Sequence, residues 1–167
     1  LLFKLHRIGV RGALLNWFRS YLSDRTQKVV LNGKSSSFKR IFSGVPQGSI
    51  LGPLLFLIYI NDMVDNISSE IFLFADDSSL LAIENDWNLV ENKLNSDLNV
   101  LRSWSNDWHL KFNEVKTEYM LISNVNNLTN KITLKLNDVV LNMVSKHKHL
   151  GIVMNRNMTW SDHVDFI

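Results

Sequence analysis

The chain has 167 residues, 46% of them hydrophobic and 20% charged, the make-up of one ordinary globular domain with its own core rather than a disordered segment. Its formal net charge is +2 and its pI is near 8.9, a mild basicity that permits a nucleic-acid partner without arguing for one. It contains no cysteine, which excludes disulfides, Cys-ligated zinc and iron–sulfur clusters.

The start, Leu1-Leu2-Phe3-Lys4, shows neither an initiator Met nor a signal-peptide pattern, and the far end stops abruptly at Phe166-Ile167. Both ends are expected to be cut points in a longer protein. Leu14, Leu15, Phe18, Tyr21 and Leu22 recur at helical spacing, and Ser23-Asp24-Arg25 ends that helix. Gln27–Leu31 and Phe38–Phe42 read as two strands of a hairpin joined by the loop from Asn32-Gly33 to Ser37, longer than a two-residue turn. A tight loop, Ser43-Gly44-Val45-Pro46-Gln47-Gly48-Ser49, leads into a helix with Pro53 in its first turn, where a missing N–H costs little. The longest apolar run, Leu54 to Ile60, is too short for the ~20 residues that span a bilayer and predicts a buried core helix. Ile71–Ala75 and Ser79–Ile83 read as strands around Asp76-Asp77-Ser78. Trp87, Val90, Leu94, Leu98, Leu101, Trp104 and Trp108 form the apolar stripe of a long helix, a core feature rather than a ligand box. Short strands follow at Tyr119–Ile122, Ile132–Leu136, Val139–Leu141 and His149–Val153. The order lacks a regular βαβ rhythm, so the predicted fold is α+β, a largely antiparallel sheet covered by helices on one face.

Two features invite chemistry. Adjacent carboxylates repel, so Asp76-Asp77 between two apolar strands suits a bound cation. Magnesium is the natural partner, because it is often held by one or two carboxylates plus substrate phosphates. Asp-Asp-Ser is also plain turn chemistry, and in isolation that explanation is the commoner one. In the loop before the helix, Gly44 and Gly48 allow close approach and positive φ, Pro46 stiffens the chain, and Gln47 offers an amide. The helix N-terminus beyond it is suited to an anion. A ligand-free helix-entry loop fits equally, and the spacing matches neither the P-loop nor the dinucleotide fingerprint. His147 and His149, in a Lys-His-Lys-His run, suggest solvent or backbone contact more than a metal site, so an unrelated metal-dependent hydrolase has little support.

Taken together, the motifs carry a resemblance. Ser43 to Phe56, followed by Tyr59-Ile60-Asn61-Asp62-Met63, resembles motif B of reverse transcriptases, in the version found in non-LTR (LINE-type) retrotransposons. Phe74-Ala75-Asp76-Asp77 resembles motif C of that group. Leu110-Lys111-Phe112-Asn113 with Lys116-Thr117-Glu118 resembles motif D, and His149-Leu150-Gly151-Ile152 resembles motif E, the primer-grip hairpin. Four motifs in the family's order, covering nearly the whole chain, are jointly specific where each alone is not.

The resemblance implies a reverse-transcriptase palm with a ferredoxin-like antiparallel sheet: a fingers/palm segment at 1–42, palm motifs B to E at 43–158, and the start of the thumb at 159–167. It implies RNA-directed DNA synthesis from dNTPs on a primer 3′-hydroxyl by a two-metal mechanism, with RNA template and DNA primer as partners and Mg2+ (Mn2+ as a substitute) as cofactor. Asp76 and Asp77 would be the metal ligands, Lys116 the group acting on pyrophosphate (a solvated surface lysine otherwise), Pro46, Gln47, Gly48 and Ser49 the nucleotide and template contacts, and Leu150 and Gly151 the primer grip. It also implies an intracellular setting, nuclear or cytoplasmic, with no membrane partner. The family's motif A aspartate lies upstream of the segment resembling Leu2 to Val10, and no Asp or Glu precedes Asp24. The fragment is therefore expected to be inactive alone. A non-catalytic nucleic-acid-binding remnant of a decayed mobile element is the alternative.

Overall fold

The computed structural model describes residues 1–123 and 132–167. It is an α+β chain that divides into two compact units, Leu1–Val64 with Leu73–Asp77, and Asp65–Phe72 with Ser78–Ile167.

The first unit opens with two helices, α1 (Leu2–Arg7) and α2 (Gly12–Leu22). The sequence pattern anticipates α2 and not α1. A thin two-stranded ribbon follows. Strand β1 (Thr26–Gln27) pairs antiparallel with β4 (Lys39–Arg40), and β2 (Val30–Leu31) pairs with β3 (Lys34–Ser35). The turn between β2 and β3 is Asn32-Gly33 alone, with φ of 49° and 74°. This corrects the expected longer loop: Asn-Gly accepts positive φ at both turn residues and so closes a two-residue turn. Helix α3 (Leu51–Ile60) and a 3-10 turn (Asn61–Val64) follow, and Leu73–Asp77 also belongs to this unit.

Helix α3 is apolar on every side, but only Gly52, Leu55 and Ile60 are buried, while Leu54 and Leu57 are about half exposed. The expectation of a fully buried core helix is corrected here. A helix apolar all round needs cover all round, and among the described elements α1 packs against it. The contact is anchored by a charge. Lys4 on α1 is 4% exposed, and its ammonium stands 2.5 Å from Asp62 Oδ1. It also donates to the Tyr59 carbonyl at the end of α3 and lies 4.8 Å from the centre of the Tyr59 ring. Burial first, and the Asp62 charge second, push the Tyr59 hydroxyl pKa up.

The second unit is built on α4 (Trp87–Trp108), whose bounds match the predicted stripe. Asp86 caps its start, accepting from the amides of Asn88 (2.8 Å) and Leu89 (3.3 Å). His109, at φ 53°, ends it in the left-handed conformation. Val90, Leu98, Leu101 and Trp104 are buried with Leu121, Ile132, Leu134, Leu136 and Leu141, so the stripe is core as expected. Around α4 lie short strands: β7 (Glu118–Tyr119), β8 (Lys135–Leu136), β9 (Val139–Val140), β10 (Asn142–Met143), β11 (Lys146–His149) and β12 (Ile152–Asn155), then a short helix α5 (Ser161–Val164). Strand β8 pairs with β9 and β11 with β12, both antiparallel, while β10 pairs with β7 in parallel. The segment His149–Val153, expected as one strand, is instead the tip of the β11–β12 hairpin, turned at Leu150-Gly151. The described strands form six two-stranded ladders rather than one continuous sheet. Alternation marks a segment able to pair but does not name its partner, and ladders of two to five residues leave no room to infer one.

One polar contact inside this unit escapes the pattern. Asp97 lies on the buried face of α4 and is 1% exposed. Its carboxylate accepts from the Ser68 amide (2.9 Å), the Ser68 hydroxyl (2.9 Å) and the Ser69 amide (2.8 Å). Burial alone would raise its pKa. The donors from Ser69 and Ser68 outweigh it, and Asp97 is held below the usual carboxylate value of 3.8. A buried charge survives only when satisfied in this way.

Two predictions follow from these anchors. Asp62→Asn removes the carboxylate that faces the buried Lys4 ammonium and, with Asp62 itself partly exposed, should cost about 1–3 kcal/mol. The double variant Lys4→Met/Asp62→Leu should recover most of that loss, read as the urea midpoint, and additive losses would dismiss the pair as an anchor. Asp97 has a folded pKa below its unfolded one, so its contribution is complete above the unfolded value and is lost as pH falls through the folded value. Asp97→Asn should cost about 1–3 kcal/mol near neutral pH. It should also flatten the acid loss of stability seen in the parent chain, measured by denaturant titrations at stepped pH.

Candidate functional site

The two carboxylates singled out by the sequence stand on a hairpin formed by β5 (Glu70–Phe74) and β6 (Asp77–Leu81). Both strands begin earlier than expected, at Glu70 and Asp77 in place of Ile71 and Ser79; β6 does so because the turn is Ala75-Asp76 and not Asp76-Asp77-Ser78. Asp76 is the second turn residue and Asp77 the first residue of the outgoing strand. Both side chains are exposed. Ala75 carries the turn at φ 52°, a conformation that costs an L-residue roughly 1–2 kcal/mol and that glycine would adopt freely. Strain held at a turn that presents two carboxylates is the kind of outlier that points to function.

The loop before α3 is rigid for identifiable reasons. Gly44 and Gly48 have φ of 80° and 78°, as their predicted freedom allows. Ser49 Oγ donates to the Pro46 carbonyl (2.7 Å) and accepts from the Gly52 amide (3.0 Å), which caps the helix entry. A Cβ on Gly52 would meet the Pro46 carbonyl at 3.0 Å, so the loop folds back onto a position that only glycine fills without a shift. Arg25 clasps the same loop, donating to Ser43 O (3.3 Å) and to Gly44 O. Of the four residues expected to touch nucleotide or template, Ser49 spends its hydroxyl on the loop. Gln47 is exposed with its amide unengaged among the described residues, and a Cβ on Gly48 would meet nothing within 4 Å.

The remaining candidates lie in the second unit. Asn113 organises the turn below Lys116, its carbonyl accepting from the amides of Lys116 (3.1 Å) and Thr117 (3.0 Å). Its Oδ1 accepts from Lys116 N at 3.2 Å. The Lys116 side chain is exposed and has no partner among the described residues. Leu150 and Gly151 form a two-residue turn with φ of 48° and 89°, and Leu150 is half exposed. His147 contacts Glu118, Nδ1 to Oε2 at 3.2 Å, a carboxylate contact where solvent or backbone was expected. Asp76, Asp77 and Pro46 to Ser49 thus fall in the first unit, and Lys116, Leu150 and Gly151 in the second.

The donor set suits a hard cation, since two exposed carboxylates with substrate phosphates are a sufficient complement for magnesium. Among the described residues no three His, Asp or Glu side chains converge on a metal position. Also among them, no helix is long and apolar enough to cross a membrane. Sequence reasoning gave no role to Lys4 or Asp97, and took Gly52 and Ala75 only as members of motif segments. Gly52 was detectable, because a glycine inside an apolar helix costs about 1 kcal/mol against alanine and so signals close packing.

Residues 1–166 match the family profile described as reverse transcriptase (RNA-dependent DNA polymerase). The RNA-directed DNA polymerase from mobile element jockey of Drosophila melanogaster is 30% identical over 154 residues, which are 87% of this chain and 17% of that protein. The probable RNA-directed DNA polymerase from transposon BS of the same species is 32% identical over 156 residues, with the same coverage of each. A Pol polyprotein from a type-1 R1 retrotransposable element of Nasonia vitripennis is 28% identical over 128 residues, 72% of this chain and 31% of the relative. The chain therefore spans well under half the length of these curated relatives.

The strained turn makes a specific prediction. Ala75→Gly relieves the left-handed strain of about 1–2 kcal/mol and gives back about 0.4–1 kcal/mol in unfolded-state entropy. The variant should melt at or above the parent temperature in a thermal scan. A fall in melting temperature would mean that Ala75 is not strained in the folded chain.

Proposed function

Because the chain belongs to the reverse transcriptase family, with relatives among non-LTR retrotransposons, we propose that it is part of an RNA-directed DNA polymerase whose metal-binding carboxylates are Asp76 and Asp77. The observation that carries this reading is the β5–β6 hairpin, whose strained turn carries exposed Asp76 and is followed at once by exposed Asp77 at the start of the outgoing strand. On this reading 43–158 supplies palm motifs of a ferredoxin-like sheet, 1–42 a fingers/palm segment and 159–167 the first residues of a thumb.

Asp76 is the direct ligand for Mg2+, and Asp77 adds negative charge and outer coordination. When bound, the divalent ions lower the pKa of the primer 3′-hydroxyl and stabilise charge on the leaving pyrophosphate. The rest is positioning by this chain's own groups. Gln47 presents its free amide, and Gly48 an open backbone, to the incoming dNTP and its template base. The capping bond of Ser49 keeps that loop in one shape, so little ordering entropy is lost when the nucleotide binds. Lys116 brings a mobile ammonium to the pyrophosphate as negative charge builds there. Leu150 and Gly151, at the tip of a tight hairpin, hold the primer end by apolar and backbone contact. A further carboxylate, as the family resemblance expects, joins Asp76 from a part of the longer protein outside these 167 residues.

The test uses a longer chain that includes the preceding strand, with magnesium, an RNA template and a DNA primer. Metal stabilisation worth several kcal/mol corresponds to a rate loss of about a thousandfold or more for Asp76→Asn. Because Asp76 is exposed, its replacement should move stability by no more than about 0.5 kcal/mol. Primer extension retained in a folded Asp76→Asn variant would rule out this carboxylate as the metal ligand.

A further inference from the structure

Residues 111–117 join the end of α4 to β7 and carry Lys116. The start of this loop is fixed by Ser105 of α4. Its hydroxyl donates to the Leu110 carbonyl (2.5 Å), and its carbonyl accepts from the Leu110 amide (3.1 Å). Inside the loop, the amides of Lys116 and Thr117 and the Thr117 hydroxyl all turn back to Asn113. Among the described residues a single hydrogen bond ties the loop to another segment. Asn137 donates from Nδ2 to Glu114 Oε1 at 2.5 Å, from 23 residues away. That amide first, then the Glu114 backbone N–H and the Lys111 charge, hold the Glu114 carboxyl below its ordinary value of 4.5.

The mount of Asn137 is firm. It stands half-buried in the β8–β9 turn at φ 49°, beside Asp138 at φ 67°, a conformation that Asn and Asp accept more readily than other L-residues. Leu134 and Leu136 are buried, and β8 packs along α4. Asn95 of α4 pairs with this segment as a neighbouring strand would. Its Nδ2 donates to Thr133 O (2.9 Å), and its Oδ1 accepts from Lys135 N (3.0 Å). About two turns further along α4, Arg102 meets Asp138 at 3.0 Å. A turn residue needs only its backbone conformation, yet Asn137 also aims its amide at the Lys116 loop.

We propose that Asn137 and Glu114 form a latch that positions Lys116 for the departure of pyrophosphate, both being positioning residues for nucleotide transfer. The inference rests on the polymerase reading for that step. As the primer oxygen bonds to the α-phosphorus, the bridging P–O bond breaks and its electron pair leaves with pyrophosphate. The primer hydroxyl proton passes to water. Lys116 acts through its charge, so the place where its ammonium stands decides how much it stabilises. Pinning the turn at Glu114, two residues before Lys116, fixes the point from which that side chain reaches out.

The test uses the longer chain that includes the preceding strand. Asn137→Asp keeps the turn, because Asp tolerates the same backbone, but sets a second carboxylate against Glu114. The double variant Asn137→Asp/Glu114→Gln restores the pair with donor and acceptor exchanged. Single-nucleotide incorporation is followed by rapid quench with magnesium, an RNA template and a DNA primer. Asn137→Asp should lower the maximal rate about tenfold and leave primer–template affinity within about twofold, as expected of a misplaced group. The exchanged pair should recover the rate. In a Lys116→Ala background Asn137→Asp should cost nothing further, since the latch acts only through Lys116. Hydrogen exchange of residues 111–117 needs no synthesis. It should speed about two- to fivefold in Asn137→Asp, the factor for one hydrogen bond, and return in the exchanged pair. Unchanged exchange, an exchanged pair that recovers nothing, or losses from Asn137→Asp and Lys116→Ala that multiply would overturn the latch. A parent chain without synthesis, its exchange responding as expected, would overturn the role given to Lys116 and mark the polymerase reading, not the latch, as what failed.

Discussion

The first unit is organised around the Lys4 ammonium. Buried beneath the last turn of α3, it is held by the Asp62 carboxylate, the Tyr59 carbonyl and the Tyr59 ring. A cation at a helix C-terminus meets carbonyls that have no partner within the helix and the negative end of the helix dipole. Removing it from water is costly, and the pair returns that cost only when the geometry satisfies both charges. The constraint matters because α3 carries the Gly44–Ser49 loop at its other end. Fixing its last turn against α1 fixes the direction in which the loop leaves. The Ser49 cap and the close fit of Gly52 under Pro46 then settle the loop itself.

Hairpins closed by two residues recur along the chain, and comparing them isolates what is unusual about the carboxylate tip. Asn32-Gly33, Asn137-Asp138 and Leu150-Gly151 all place both turn residues at positive φ, the form that matches the twist of the flanking strands. The β5–β6 turn does so at Ala75 alone, the form that ordinarily has glycine at its first position. This choice leaves Asp76 in an ordinary backbone conformation and moves the strain to its neighbour. The carboxylate-bearing residue is relaxed, and its neighbour, whose side chain is a methyl group, is strained.

Much of this was legible in the chain and some was not, for physical reasons. Helix α4 was readable to its ends because Trp87, Val90, Leu94, Leu98, Leu101, Trp104 and Trp108 sample one face seven times, and periodicity averaged over six turns is hard to mistake. The Asp76-Asp77 hairpin was readable as a turn but displaced by one residue, since nothing local in Phe74-Ala75-Asp76-Asp77 announces that alanine takes the left-handed position. Lys4 and Asp97 were invisible because their partners lie 58 and 28–29 residues away, and a charge on an apolar face reads as an exception until the partner is known. The sheet failed for the same reason: strand order is a set of long-range pairings, and ladders this short leave little pattern to fix them.

Within each unit the candidate residues stand on turns and loop entries, not on helix faces or strand interiors. Asp76 sits in a two-residue turn, Gln47 and Gly48 in a loop closed by a capping serine, Lys116 beside the Asn113 turn and Leu150-Gly151 at a hairpin tip. Short closed turns project side chains into solvent while paired strands or a capped helix hold the backbone on both sides, so each group is both accessible and positioned. Long loops would offer the same access at a greater ordering cost on every binding event. Turns that are ordered once, during folding, lose little further conformational entropy when a ligand meets them.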